Sequence, residues 1–179
     1  MLHKKTLISI NPATLEKIGE VELTPIHDID SMVESARNAH FLWKDVKLED
    51  RKKIFRDVKH LLLDRREEMA KLITLEMGRP YVESLVLEVQ ASIDLIGYYV
   101  NNADRFLKDR ALPLHHLFFI RRKSRLHFRP LGVMGIITPW NWPLLIPLGF
   151  ILPALLAGNG VVFRWFAARL SKQPIFQNV

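Results

Sequence analysis

No charged side chain lies between Arg129 and Arg164. A run that long and that apolar either crosses a membrane or is buried inside a protein. Punctuation decides between the two. Four prolines (Pro139, Pro143, Pro147 and Pro153), the amide of Asn141 and two glycine-rich breaks divide the run. A spanning helix must satisfy its backbone internally and has to tolerate such breaks. A buried strand–loop–helix–strand unit uses them. Leu131 to Thr138 is short, apolar and partly β-branched, with Pro130 and Pro139 as its bounds, which suits a strand of a parallel sheet. Pro143 stands where a first helical turn begins, and Leu144 to Leu156 makes a buried helix. Pro147 belongs in its first turn or at a kink, and Pro153 removes one backbone hydrogen bond. Gly158-Asn159-Gly160 ends the helix, and Val161-Val162-Phe163 begins a second strand. The expectation is a βαβ crossover, whose ligands approach at the carboxyl end of the first strand and the helix N-terminus. The segment PWNWP, Pro139 to Pro143, occupies that place.

Asn141 stands out there, because a buried amide needs partners or a task. An asparagine caps helices well, so one assignment is the cap of the helix beginning at Pro143. A side-chain NH₂ is also a neutral double donor able to hold a developing oxyanion.

The rest of the chain is punctuated just as clearly. Residues 6–23 alternate weakly around Asn11-Pro12-Ala13-Thr14, which predicts a β-hairpin or a pair of short strands. Asp28 or Asp30 can cap a helix that carries Ile29, Met32, Val33, Ala36, Ala39 and Trp43 at helical spacing. The longest helix is expected from about Glu49 to Met77, with Ile54, Val58, Leu61, Leu62, Met69, Leu72, Ile73 and Met77 as its stripe. Gly78 breaks it and Pro80 opens another, whose stripe is Val82, Leu85, Val86, Val89, Ile93, Ile96 and Val100. All three stripes read as core, and no site is expected on these helices. From Asp109 the helical period stops. Leu117 to Ile120 forms a strand-like run, Arg121 to Ser124 a turn, and Arg125 to Arg129 alternates, so an exposed β-hairpin is expected. Its basic residues interleave with phenylalanines, a pattern open to nucleic-acid binding but also that of a solvated, aggregation-resistant hairpin. Its apolar face suits another sheet or subunit.

Composition sets the outer limits. The chain has 179 residues, enough for one domain or one plus an appendage. A net charge of +7 favours anionic partners without naming one. There is no cysteine, so the chain holds no disulfide, no thiolate metal site and no thiol nucleophile, and no metal is expected. The absence fits an intracellular, cytoplasmic protein. Asn11, Pro12 and Glu16 interrupt the N-terminal segment too soon for a secretory signal.

Four blocks in order carry a resemblance. They are Ile10 to Thr14 (INPAT), Ile73 to Pro80 (ITLEMGRP), Arg129 to Pro143 (RPLGVMGIITPWNWP) and Leu152 to Val162 (LPALLAGNGVV). Together they resemble the N-terminal portion of the aldehyde dehydrogenase superfamily over about residues 10–163. The resemblance implies an α/β fold: N-terminal helices plus the first βαβ unit of a Rossmann-like dinucleotide-binding domain, with a protruding β-hairpin. It divides the chain into an N-terminal helical part of the cofactor-binding domain (1–108), an oligomerisation-type hairpin (109–129), the first βαβ unit (130–163) and a divergent tail (164–179). It implies NAD(P)-dependent oxidation of an aldehyde to a carboxylate in a homo-oligomer, with neither nucleic acid nor membrane as partner.

Residue by residue, Asn141 matches the family's catalytic asparagine, whose amide helps hold the oxyanion formed when a cysteine attacks the aldehyde. Ile137, Thr138, Pro139 and Trp140 match the strip along the nicotinamide and ribose of NAD or NADP. Arg164 stands where the family has a ribose-binding lysine, keeping the charge but not the shape of that contact. Phe166 and Ala167 stand where Glu or Ser often lies near the ribose hydroxyls. From Arg164 to Val179 the resemblance largely fails. The cysteine nucleophile, the base glutamate in its motif and the later phosphate-side glycine motif are all missing. The expectation is an incomplete, inactive portion of such an enzyme, truncated, frameshifted or split, that binds NAD or NADP weakly or not at all and self-associates. Two alternatives are a membrane-associated protein using 130–163 and a basic-hairpin module for nucleic acid or protein.

Overall fold

The computed structural model describes residues 6–113 and 123–166. Two short strands, β1 (Thr6–Ile10) and β2 (Lys17–Glu22), pair antiparallel as the alternation predicts. Their turn is built by Asn11, whose side-chain oxygen accepts from the Ala13 amide at 2.9 Å. Leu15 completes the turn at φ 63°. A single 3₁₀ turn, Ile26–Asp28, leads into α1 (Ile29–Trp43). Asp28 holds the cap position, but its side chain makes no capping bond; the Ser31 hydroxyl donates to the Asp28 carbonyl instead.

The long helix expected over Glu49–Met77 is two helices, α2 (Leu48–Asp64) and α3 (Arg66–Met77). Arg65 breaks the run at φ −102°, ψ 17°. No glycine or proline marks the break, so nothing in the local alphabet signalled it. The predicted stripe on α2 is also rotated. Ile54, Val58 and Leu61 are exposed, while Arg51, Lys52, Phe55 and Leu62 are buried. The cause is amphipathy: a Lys or Arg stem packs on apolar surface while its head reaches a polar partner. The Lys52 ammonium reaches Asp104 at 2.5 Å and Glu49 at 2.6 Å, and an Arg51 guanidinium nitrogen donates to the Trp43 carbonyl.

Gly78 ends α3 in the left-handed conformation, φ 69°. A methyl built on it would lie 2.6 Å from Pro12 Cγ, so the β1–β2 turn rests on the end of α3. After Pro80 the chain runs through one α-turn, α4 (Tyr81–Glu83), a π-helical segment (Ser84–Gln90) and α5 (Ala91–Leu107). The predicted face holds from Val89 through Ile93, Ile96 and Val100, all buried. Upstream it fails, because Val82 and Val86 are exposed and Ser84 and Glu88 are buried. A π turn holds more residues than an α turn, so it rotates the inward face relative to an α-helical stripe.

The core joins α2, α3, the π segment, α5 and the next helix through Phe55, Leu62, Ile73, Val89, Ile96 and Leu152. β3 (Arg110–Leu112) and β4 (Ser124–Leu126) pair antiparallel at the base of the expected hairpin. Ser124 therefore belongs to a strand rather than the turn. The run Leu117–Ile120 and Arg121-Arg122 lie outside the described residues. The βαβ unit forms as expected: β5 (Val133–Pro139), α6 (Leu145–Leu156, with Pro147 in its first turn and Pro153 inside) and β6 (Gly160–Phe166), with β5 parallel to β6. Among the described residues no helix is long and apolar enough to cross a membrane, and no cluster of metal-ligating side chains forms.

The Lys52 cluster ties α2 to α5 and predicts how stability responds to acid. Hydrogen bonding to Lys52 holds the Asp104 and Glu49 carboxyls below their ordinary values. Carboxyls depressed in the fold contribute stability above their ordinary range and lose it as pH falls through the folded values. Stability should therefore decline below about pH 4. The decline should be shallower in Lys52→Met, where Asp104 loses its hydrogen-bond partner and Glu49 keeps only Arg56, at 3.3 Å. Urea midpoints measured from pH 3 to 6 check this; parallel curves for the two proteins would reject it.

Candidate active site

The strand end and the loop after it place the predicted residues unequally. Ile137 is 70% exposed and pairs in register with Arg164, which is also exposed. Registered residues of parallel strands share a sheet face, so the structure brings these two together. Pro139 lies two residues on and shares the Ile137 face. Thr138 does not. It points the other way and is 2% exposed, and its hydroxyl has no hydrogen-bond partner among the described residues. Trp140 is exposed at the strand end. The four consecutive positions thus present one outward surface, from Ile137, Pro139 and Arg164, backed by an inward Thr138.

Asn141 is exposed, not buried, which overturns the premise that burial would force a task on it. Nor does it cap the helix. The first free amides of α6, on Leu144 and Leu145, donate to Glu88 Oε2 at 3.3 and 2.9 Å. The cap is a carboxylate delivered from the π segment, and an anion at a helix N-terminus is electrostatically favoured. No hydrogen bond among the described residues engages the Asn141 side-chain amide. Its backbone carbonyl accepts from Arg79 Nη2.

Arg79 and Glu88 are the residues that the sequence pattern missed. Glu88 is fully buried, and its Oε1 lies 3.5 Å from Arg79 Nη1. The Arg79 guanidinium sits 4.7 Å from the Trp142 ring centre, a cation–π contact. Burial pushes the Glu88 carboxyl above its ordinary value, opposed by the Leu145 and Leu144 amides and by Arg79. Read with an α-helical period, Glu88 falls off the apolar face and looks solvated; the π turn brings it inward. The Leu144 and Leu145 amides at the start of α6 thus already hold a carboxylate, the place where a helix N-terminus would otherwise offer donors to an anion.

The buried amide with a structural task is Asn159. Its Oδ1 accepts from Leu131 and Gly132 at 2.6 and 3.1 Å, and its Nδ2 donates to the Ala154 carbonyl at 3.0 Å. It locks the start of β5 to the end of α6, which fixes where β5 delivers the Pro139–Pro143 loop. An apolar cavity of about 690 Å³ lies between α1, α2, α6 and β6, lined by Trp43, Phe55, Ile151, Leu155 and Phe163 among others. None of the predicted site residues lines it.

The arrangement offers an exposed amide donor at a strand end, a backbone clamped behind it and an open sheet face with one cation. The chain as a whole has known relatives. The profile described as "Aldehyde dehydrogenase family" matches residues 2–168. The 4,4'-diapolycopene aldehyde oxidase of Methylomonas sp is 30% identical over 159 residues, which are 89% of this chain and 30% of that protein. An aldehyde dehydrogenase from Bartonella henselae superposes with a TM-score of 0.82 at 28% identity, over 90% of this chain and 33% of that one. The structure of PnpE in complex with nicotinamide adenine dinucleotide shares the fold, with a TM-score of 0.80 at 24% identity over 90% of this chain and 32% of that one. The chain thus spans about a third of the length of the relatives it matches.

Proposed function

The chain belongs to the aldehyde dehydrogenase family, and from that premise we propose that it supplies the oxyanion donor and the first part of the cofactor surface for NAD(P)-dependent oxidation of an aldehyde to a carboxylate. Family and fold fit an oxidoreductase acting on aldehydes, with NAD or NADP as the acceptor usual in that family. The observation that carries the finer assignment is the side-chain amide of Asn141, exposed and without a hydrogen bond among the described residues, beside a backbone held by Arg79. A neutral NH₂ aimed at the position where charge develops stabilises an oxyanion without first giving up another bond.

The reaction needs a thiolate to attack the carbonyl carbon, a donor for the resulting oxyanion, and a base to activate water for release of the acid. This chain contributes the second. Ile137, Pro139 and Arg164 would lie along the dinucleotide, with Arg164 giving a charged contact to the ribose side, while Thr138 would act through its backbone. Bound dinucleotide would accept the hydride. The β3–β4 ribbon would be the surface for association with other copies, since Leu112 and Leu126 are exposed on it.

With no cysteine in the sequence, the isolated chain is expected to show no reduction of NAD or NADP with any short aliphatic or aromatic aldehyde. The decisive experiment grafts residues 6–166 in place of the matching third of a complete family enzyme. The graft is expected to turn over, and its Asn141→Ala variant to lose roughly 10²–10³ in kcat. Unchanged kcat in a folded Asn141→Ala graft would remove Asn141 from the mechanism.

A further inference from the structure

We propose that Glu88 and Arg79 are positioning residues for the Asn141 amide, acting as one device that holds the loop from Trp140 to Leu144 while leaving the Asn141 side chain unengaged. The inference rests on the oxyanion assignment above but concerns a separate question, how the donor is kept in place. An exposed loop bearing a short polar side chain next to an uncapped helix has an easy alternative: the Asn side chain folds back and caps the helix itself. Here that competing use is removed. The amide that an Asn141 cap would satisfy, that of Leu144 (Pro143 has no N–H), is taken by Glu88 Oε2, together with that of Leu145. A charged acceptor makes hydrogen bonds about twice as strong as a neutral one, so the carboxylate outcompetes an amide oxygen for those donors.

Arg79 fixes the other end of the loop. Its fork reaches Glu88 with one nitrogen and the Asn141 carbonyl with the other, and its plane lies over Trp142. Three consecutive points of the loop are thereby held by two side chains that come from outside it: the Asn141 carbonyl, the Trp142 ring and the helix start. The π segment is what makes the arrangement possible, because it turns Glu88 inward while Val89 and Ile93 stay in the core. π turns are often retained at functional sites, and this one has an identifiable task. Lysine at position 79 would keep the charge but could not bridge both partners and stack at once.

The test uses ¹⁵N-labelled whole chain and the resonances of the Asn141 side-chain amide, the Trp142 indole and the Leu144 and Leu145 backbone amides. In Glu88→Gln the Leu145 amide is expected to exchange with solvent about tenfold faster. The Asn141 NH₂ signals are expected to shift as the side chain begins to compete for the helix start. In Arg79→Gln the Asn141 and Trp142 signals should move toward those of a free loop while Leu145 protection persists. Arg79→Lys should keep the Leu145 protection and still not restore the Trp142 signal, because an ammonium cannot stack as the guanidinium does. Asn141 signals unchanged in folded Glu88→Gln and Arg79→Gln would reduce the pair to an ordinary helix cap and overturn the proposal. Should either glutamine variant fail to fold, the milder Arg79→Lys decides by the same Asn141 and Trp142 signals. None of these readouts involves an aldehyde, so a graft in which Asn141→Ala is harmless would sink the donor assignment and leave the positioning result standing.

Discussion

Glu88→Ala is expected to cost about 3–5 kcal/mol of folding stability, the range for removing one partner of a buried ion pair. Three losses combine. The Leu144 and Leu145 amides, half-buried at the start of α6, lose their shared acceptor. Arg79, only 16% exposed, keeps its charge without a counterion. The carboxyl vacates space in a fully buried position next to Val89. A small domain has about 5–15 kcal/mol in total, so the variant should unfold at a much lower urea midpoint or fail to fold at 37 °C. Glu88→Gln should lose less than half as much, because its side-chain oxygen can still accept from one helix amide in a cavity already filled. The order Ala below Gln below wild type is the diagnostic. Equal midpoints for Ala and wild type would show that α6 needs no cap from the π segment.

The contrast between what the sequence made visible and what it hid follows from which interactions are local. The βαβ unit was legible because apolar runs, prolines and the Gly158-Asn159-Gly160 turn act within a few residues of one another. β5, α6 and β6 fall where those signals place them, within a residue or two. The β1–β2 pair was legible for the same reason. The hidden features join distant residues. Glu88 meets Leu145 across 57 positions, and Arg79 meets Asn141 across 62. Neither leaves a periodic trace, and the π segment erases the trace an α-helix would have left. Lys52 and Arg51 are buried although they stand outside the predicted stripe, because a one-letter reading treats a long cation as polar, whereas most of its length is hydrocarbon. Asn141 was found by its company, two tryptophans and two prolines, although the burial inferred from that company was wrong. The geometry reassigns the cap from Asn141 to Glu88.

Gly160→Val is expected to be the most damaging single substitution in the βαβ unit, costing more than about 4 kcal/mol and leaving little folded chain. Gly160 opens β6, and its amide donates to the Gly132 carbonyl at 2.9 Å. Its backbone angle is not the issue, since its φ is not positive. Space is. An added Cβ would lie 2.6 Å from the Ala36 carbonyl oxygen and 3.2 Å from His40 Cβ. The first of these is backbone in mid-helix, which cannot rotate aside as a side chain would. Helix α1 would have to lift from β6, and two polar ties would stretch with it. One joins His40 Nδ1 to the Gly158 carbonyl at 3.0 Å, and the other joins the Trp43 indole to the Leu155 carbonyl at 2.8 Å. Those ties are what hold α1 to the turn after α6, since α1 itself has no fully buried residue. Alanine at 160 should lie between glycine and valine, because its single methyl demands a smaller shift of the same carbonyl. Thermal unfolding followed by circular dichroism would rank the three. A valine variant with the transition of wild type would mean that α1 floats on the sheet without close packing, and that Gly160 is there for some reason other than the approach of Ala36.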